Sequence, residues 1–206
     1  MVNFLKRMRK LKTRMLDVRV GLGAALFPSQ VTATKEFPAV TRLHLTYAKK
    51  IYGGHHGARL FWRQCLPRLK YHNPGVSMTV QQTEEQEGPA ALTIYFNEQL
   101  SSTAAGLASK QLVDKHAPKP EASEKSVVVD LKNLDPKEIW TRVQASTGAA
   151  DVPPSEEDLA EAKRLAAITE KAVGDRKRIS AMRQAKKDQE RMLAEARGEV
   201  EKLKQG

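Results

Sequence analysis

From Glu156 to Lys204 the chain runs without a proline and is dominated by Ala, Glu, Lys, Arg and Leu, residues of high helix propensity. The stretch "ADVPPSEED" separates this run from everything before it. One long helix is therefore expected over 156–204, weakened locally at Gly174 and Gly198. Its apolar stripe of Leu159, Ala162, Leu165, Ile168 and Ala172 continues only sparsely at Ile179, Met182 and Leu193. A stripe that thin does not make a full helical layer. A helix laid across a partner surface fits it better than a self-contained coiled coil. Only roughly 150 of the 206 residues are then left to build a core, enough for one ordinary domain.

The composition agrees with a modest core carrying polar extensions. Aromatic residues make up 5% of the chain and hydrophobic residues 40%. The formal net charge is +11, which favours polyanionic partners such as nucleic acid over small neutral ligands. Cys65 is the sole cysteine, so no intrachain disulfide can form, and a reducing compartment is expected. No apolar run approaches the roughly 18 residues that a membrane span requires.

The first twenty residues are strongly basic. Lys6, Arg7, Arg9, Lys10, Lys12, Arg14 and Arg19 face a single acid, Asp17, while Phe4, Leu5, Met8, Leu11, Met15 and Leu16 fall near helical spacing. The result is an amphipathic basic helix. It resembles a mitochondrial targeting segment and would equally serve as an arm on RNA phosphates. A retained arm that also supplies the address is the expected reading.

Between the two extensions the pattern alternates between strand and helix periods. "TRLHLTYA" (41–48) sets Leu43, Leu45 and Tyr47 on one side and Arg42, His44 and Thr46 on the other, predicting a half-buried strand. Residues 58–66 suit a short helix, which Pro67 is expected to end. A second strand is expected in two pieces, Leu69 to Tyr71 and then Val76, Met78 and Val80 after the Asn73–Pro74–Gly75 turn. "ALTIYF" (91–96) and "SVVVDL" (126–131) read as the third and fourth. The 98–125 stretch between them is small and polar and reads as a loop insertion. A last helix is expected after Asp135 at the N-cap and Pro136 at the first helical position. Ile139, Trp140 and Val143 form its apolar face and Gly148 its stop. The predicted organisation is an arm over 1–40, an α/β domain over 41–148, and a linker with a long charged helix over 149–206.

The order of these elements describes a small α/β layer of the thioredoxin-like kind: a four-stranded sheet with flanking helices. Within it, "GARLFWRQCLPRLKYHNPGVSMTV" (57–80) is the most specific stretch. Gly57-Ala58-Arg59, the pair Phe61-Trp62, Pro67, and Tyr71-His72-Asn73-Pro74 followed by alternating Val76, Met78 and Val80 resemble the signature of a mitochondrial ribosomal protein family. Its members share a thioredoxin-like domain and occur in both mitochondrial ribosomal subunits. A related protein is a small accessory subunit of respiratory complex I. The resemblance covers roughly residues 41–147, and its wording is closest to a fungal-type large-subunit member.

This resemblance implies a structural protein of the mitochondrial ribosome, in the large subunit. Its partners would be mitochondrial rRNA and neighbouring ribosomal proteins, with no cofactor and no small-molecule substrate. The alternatives are a small-subunit protein or the complex I subunit. The complex I reading has no use for a polybasic arm and charged tail. The expected phosphate contacts are Lys6, Arg7, Arg9, Lys10, Lys12 and Arg14 in the arm. Arg59, Arg63, Arg68 and Lys70 join them from the motif, emerging opposite Leu60, Phe61 and Cys65, which face the sheet. In the tail they are Arg176, Lys177, Arg178, Arg183, Lys186 and Lys187, because no acid falls within 176–187.

Catalytic chemistry has little to stand on in this sequence. Cys65 lacks the second thiol of a Cys-x-x-Cys pair and is expected at a helix C-terminus, where the dipole opposes a thiolate. Adjacent His55 and His56 lack further ligands at zinc-like spacing and are expected in a flexible loop. His72 is expected to hydrogen-bond at the turn.

Overall fold

The computed structural model describes residues 4–97, 106 and 112–205. Residues up to Ser155 form one compact unit, and those from Glu156 form another. The first unit contains α1 (Phe4–Arg19), β1 (Ala25–Leu26), β2 (Val40–Ala48), α2 (His56–His72), β3 (Ser77–Thr83), β4 (Ala91–Asn97), β5 (Glu124–Asp130), α3 (Pro136–Thr147) and β6 (Ala150–Asp151). The second is one helix, α4 (Glu156–Gln205).

The four long strands form a mixed sheet in the order β3-β2-β4-β5, as the α/β reading anticipates. β2 runs parallel to β3, which requires the α2 crossover, and antiparallel to β4. The β4–β5 pair is antiparallel as well. Register places Leu43 beside Met78 and Ile94, and Leu45 beside Val80 and Leu92, so one face carries a continuous apolar layer. α2 adds Phe61, Cys65, Leu66 and Leu69 to that layer, and α3 adds Ile139, Trp140 and Val143. Cys65 therefore faces the sheet as expected, whereas Leu60 is only half-buried.

α2 differs from its sequence expectation. It continues through Pro67 to His72, so Leu69 to Tyr71 are helical and β3 is a single strand. Proline removes one helical hydrogen bond. Here Pro67 lies on the exposed side of α2, where the freed carbonyl of Arg63 faces the solvent side, while Leu66 and Leu69 hold the helix against the core from the other side. The apolar 3.6-residue period across the proline outweighs the one missing bond.

α3 follows its local code. Asp135 and Glu138 form a reciprocal capping box, Pro136 opens the helix, and Gly148 closes it at φ 66° in the left-handed region.

The opposite face of the sheet is covered too, which strand periodicity alone does not reveal. His44 and Thr46 are buried, so β2 is not half-exposed. Residues 112–119 lie over them. The Asp114 carboxylate accepts hydrogen bonds from Thr46 Oγ1 at 2.7 Å, Thr93 Oγ1 at 3.4 Å and the His116 N–H at 3.0 Å. Arg42 secures the end of this strap: it stacks 4.5 Å over Tyr95, pairs with Glu124 and donates to the Lys119 carbonyl. Burial raises the Glu124 carboxyl, but hydrogen bonds from Thr41 and Arg42 outweigh it and hold the group below its ordinary range. Of the stretch read as an insertion, residues 98–105 and 107–111 lie outside the described residues.

The connecting stretch after α1 is also more structured than its sequence suggests. β1 pairs with β6 through Ala25–Asp151 and Leu26–Ala150, and the Val152 N–H donates to the Ala24 carbonyl. Ala24, Ala25 and Phe27 are buried. A two-residue strand carries no readable period, and its formation depends on a partner more than a hundred residues away.

Candidate nucleic-acid interface

The interface begins with how α1 is held. Its last turn abuts α2, and Arg68 lies against its carbonyl end, donating from Nε to the Asp17 carbonyl at 2.6 Å and from Nη1 to the Leu22 carbonyl at 2.9 Å. His72 Nε2, one helical turn further on, donates to the Arg19 carbonyl at 2.9 Å. A cation placed on the C-terminal carbonyls of a helix also meets the negative end of its dipole. Arg68 and His72 thus form the bracket that fixes the arm, and His72 serves the arm rather than the turn.

Farther out, the described side chains of α1 are exposed. The side chains of Arg7, Arg9, Lys10, Lys12 and Arg14 are exposed; that of Lys6 lies outside the described residues. At 100° per residue, Arg7, Lys10 and Arg14 line one edge of the helix and Arg9 with Lys12 another. Phe4, Met8, Leu11 and Met15 occupy the face between, all exposed. The arm therefore offers two cationic edges around an uncovered apolar strip.

The motif cations divide into two pairs. Arg63 is exposed and Arg59 half-buried, one turn apart on α2. Arg68 and Lys70 instead spend hydrogen-bond donors internally. Lys70 Nζ donates to the Pro74 and Val76 carbonyls, each at 2.9 Å, closing the turn between α2 and β3. Trp62 is partly buried against the core with its ring centroid 6.0 Å from that of Tyr47. The aromatics Tyr52 and Tyr71 are exposed; the local sequence gives Tyr52 no feature that separates it from core tyrosines.

Two polar residues of the motif are structural knots. Asn73 Oδ1 accepts the Phe27 N–H at 2.8 Å, and its Nδ2 donates to the Ala25 carbonyl at 2.8 Å and the Leu69 carbonyl at 2.9 Å. One amide thus stitches the end of α2 to the β1 segment. His55 is fully buried rather than set in a flexible loop. Its Nδ1 accepts the Ala48 N–H at 3.3 Å while Nε2 donates to the Gln86 carbonyl at 3.0 Å, joining β2 to the turn after β3.

The chemistry of Cys65 is settled by its surroundings. The thiol is fully buried in mid-helix, not at the helix end, and burial pushes its pKa up to about 12 despite nearby Arg68. It remains protonated at neutral pH and is inert as a nucleophile.

In α4, Arg176, Lys177, Arg178, Arg183, Lys186 and Lys187 are all exposed. Their ion pairs are few and solvent-facing: Arg178 with Asp175 at 3.4 Å and Lys186 with Glu190 at 3.8 Å. Pairs of this kind contribute little and leave the charge available to a stronger anion.

The first unit is thus an α/β body with a buried, protonated thiol and a basic helix bracketed at its base, and the second is a helix with exposed cations. The profile of the mitochondrial ribosomal protein L51/S25/CI-B8 domain matches residues 58–136. The chain is 36% identical over 208 aligned positions to the large ribosomal subunit protein mL61 of Neurospora crassa, covering 99% of this chain and 98% of that one. It is 29% identical to the mL61 of Saccharomyces cerevisiae over 115 residues, 46% of this chain and 84% of the yeast protein. The chain belongs to the L51/S25/CI-B8 family.

Proposed function

We propose that this chain is a structural protein of the mitochondrial large ribosomal subunit, contacting rRNA through its arm and the exposed cations of α2 and α4. The observation that carries this reading is the extent of the match to the Neurospora protein. It runs through the basic arm and the tail, beyond the 58–136 domain common to the wider family. A complex I role would have no use for the arm and tail, and the relative matched through both is a large-subunit protein. In this reading the sheet body is a rigid mount: Arg68 and His72 position the arm, and Lys70 and Asn73 secure the end of α2, rather than touch phosphate. Structured rRNA would be met mainly through phosphates and 2′-hydroxyls.

The test is sedimentation of the tagged chain on a sucrose gradient, followed by salt titration of rRNA binding. Comigration with the large subunit is expected. Replacing Arg7, Arg9, Lys10 and Lys12 by Gln is expected to reduce the log–log salt slope by roughly 0.7–0.9 for each phosphate no longer neutralised. An unchanged slope refutes the arm's role, and comigration with the small subunit refutes the assignment.

A further inference from the structure

The tail helix raises a question that phosphate binding does not answer: why its apolar residues recur at sevens. Counting from Leu165, one register position holds Leu165, Ala172, Ile179, Lys186, Leu193 and Val200. The position three residues further on holds Ile168, Asp175, Met182, Gln189 and Ala196. Six of the nine Leu, Ile, Val and Met side chains between 159 and 200 fall on these two positions. Random placement would put only about two or three there, two positions in seven being available. The seam is open to solvent, with Ile179 at 43% and Met182 at 66% exposure.

The period identifies the kind of surface that can cover it. A strict seven-residue repeat drifts by about 20° per heptad around a straight helix, or about 100° between Leu165 and Val200. A flat lipid or RNA surface cannot follow that drift. A second helix in a left-handed supercoil keeps the whole seam covered.

Charge then identifies the partner. The positions bordering the seam carry Arg164, Lys171, Arg176, Arg178, Arg183 and Arg197 against only Glu190 and Glu199. The outward positions between 163 and 198 are nearly balanced, with Lys163, Lys177, Lys187 and Arg191 against Glu170, Asp188 and Glu195. The cations are thus concentrated where they border a bound helix. A second copy of this chain is excluded by the same charges. A parallel pair would set Lys186 against Lys186 and Asp175 against Asp175. The antiparallel register that brings Lys186 to Asp175 would set Arg176 beside Arg183.

We propose that α4 forms a heteromeric two-stranded coiled coil with an amphipathic helix of another protein, one with an apolar seam, acidic borders and an acid opposite Lys186. This goes beyond the ribosomal reading and stands without it. It also divides the basic block and narrows the rRNA contacts of α4: Arg176, Arg178 and Arg183 face the partner's acids and Lys186 lies in the seam, which leaves Lys177 and Lys187, pointing outward, for phosphate.

The experiment uses the full-length chain and labelled synthetic helices of about 35 residues, followed by fluorescence anisotropy at physiological salt. One peptide has a leucine seam, Glu borders and Glu opposite Lys186. A second has the same composition with seam and border residues shuffled, and a third has Lys borders. The first is expected to bind at least about tenfold tighter than either other, a difference of about 1.4 kcal/mol. Ile179→Asp and Met182→Asp are each expected to weaken it at least about tenfold, with α4 helicity retained by circular dichroism. Equal binding of the shuffled peptide would reduce the effect to charge and overturn the proposal. So would unchanged binding by both variants, or dimeric sedimentation of the chain alone. No RNA is present, so these outcomes leave the ribosomal reading to its own test.

Discussion

Gly57 opens the family motif at the first turn of α2, and its replacement by alanine tests how the two core helices are packed. A Cβ built at Gly57 would sit 1.7 Å from the Leu134 carbonyl oxygen and 3.4 Å from Ile139 Cδ1. A carbon–oxygen approach needs about 3.3 Å, so either α2 or the loop before α3 must retreat by roughly 1.6 Å. That loop is backbone pinned on both sides: the Leu134 N–H bonds the Leu131 carbonyl, and Asp135 begins the capping box of α3. Forced overpacking of this kind costs about 1–3 kcal/mol, and the upper end applies because no flexible side chain can yield. Alanine recovers up to about 1 kcal/mol of helix propensity relative to glycine. The expected net loss for Gly57→Ala is therefore about 2 kcal/mol. Urea unfolding followed by tryptophan fluorescence reports it cleanly, because Trp62 and Trp140 both lie in the first unit and melting of α4 is silent. The midpoint should fall by about 1 M. A variant as stable as the parent, or more stable, would refute the close-packing argument, since propensity alone predicts that gain.

Three further outcomes are expected. Asn73→Asp keeps the shape but turns a donor into an anion facing the Ala25 and Leu69 carbonyls; a loss of about 3 kcal/mol in the same urea assay is expected, and a loss below about 1 would show that the stitch is dispensable. His44 is held below its ordinary pKa of 6.5 by burial, an effect partly offset by Asp114 and reinforced by His116. Its contribution is therefore complete above about pH 6.5 and declines on acidification, as the unfolded chain takes up the proton first; His44→Gln should flatten that part of the stability–pH curve. Arg68→Met removes two donations to carbonyls at the base of α1. Amide exchange across residues 12–19 should accelerate by about tenfold or more, corresponding to a charged hydrogen bond of about 1.5 kcal/mol, while core amides stay protected; unchanged exchange would show that the arm is held by other means.

Features that depend on neighbours a few residues apart are legible in the chain before it folds. The capping box at Asp135–Glu138, the glycine stop at 148, the alternation along β2 and β4, and the long helix after Pro154 all rest on interactions within about four positions. They are the same wherever the segment sits. The family was legible in the same way, from Gly57-Ala58-Arg59 and Tyr71-His72-Asn73-Pro74 as a string. What those residues do depends on contacts made by the folded chain. Pro67 remains inside a helix because Leu66 and Leu69 are held by a sheet formed elsewhere. Arg68, His72 and Asn73 become anchors because each has a hydrogen-bond partner 46 to 53 residues away. His44 and Thr46 are buried because residues 112–119 fold across them. A cation or an amide has the same local appearance whether it faces water, phosphate or a distant carbonyl. Which it meets is set by the closure of the chain on itself, and no short-range pattern records that.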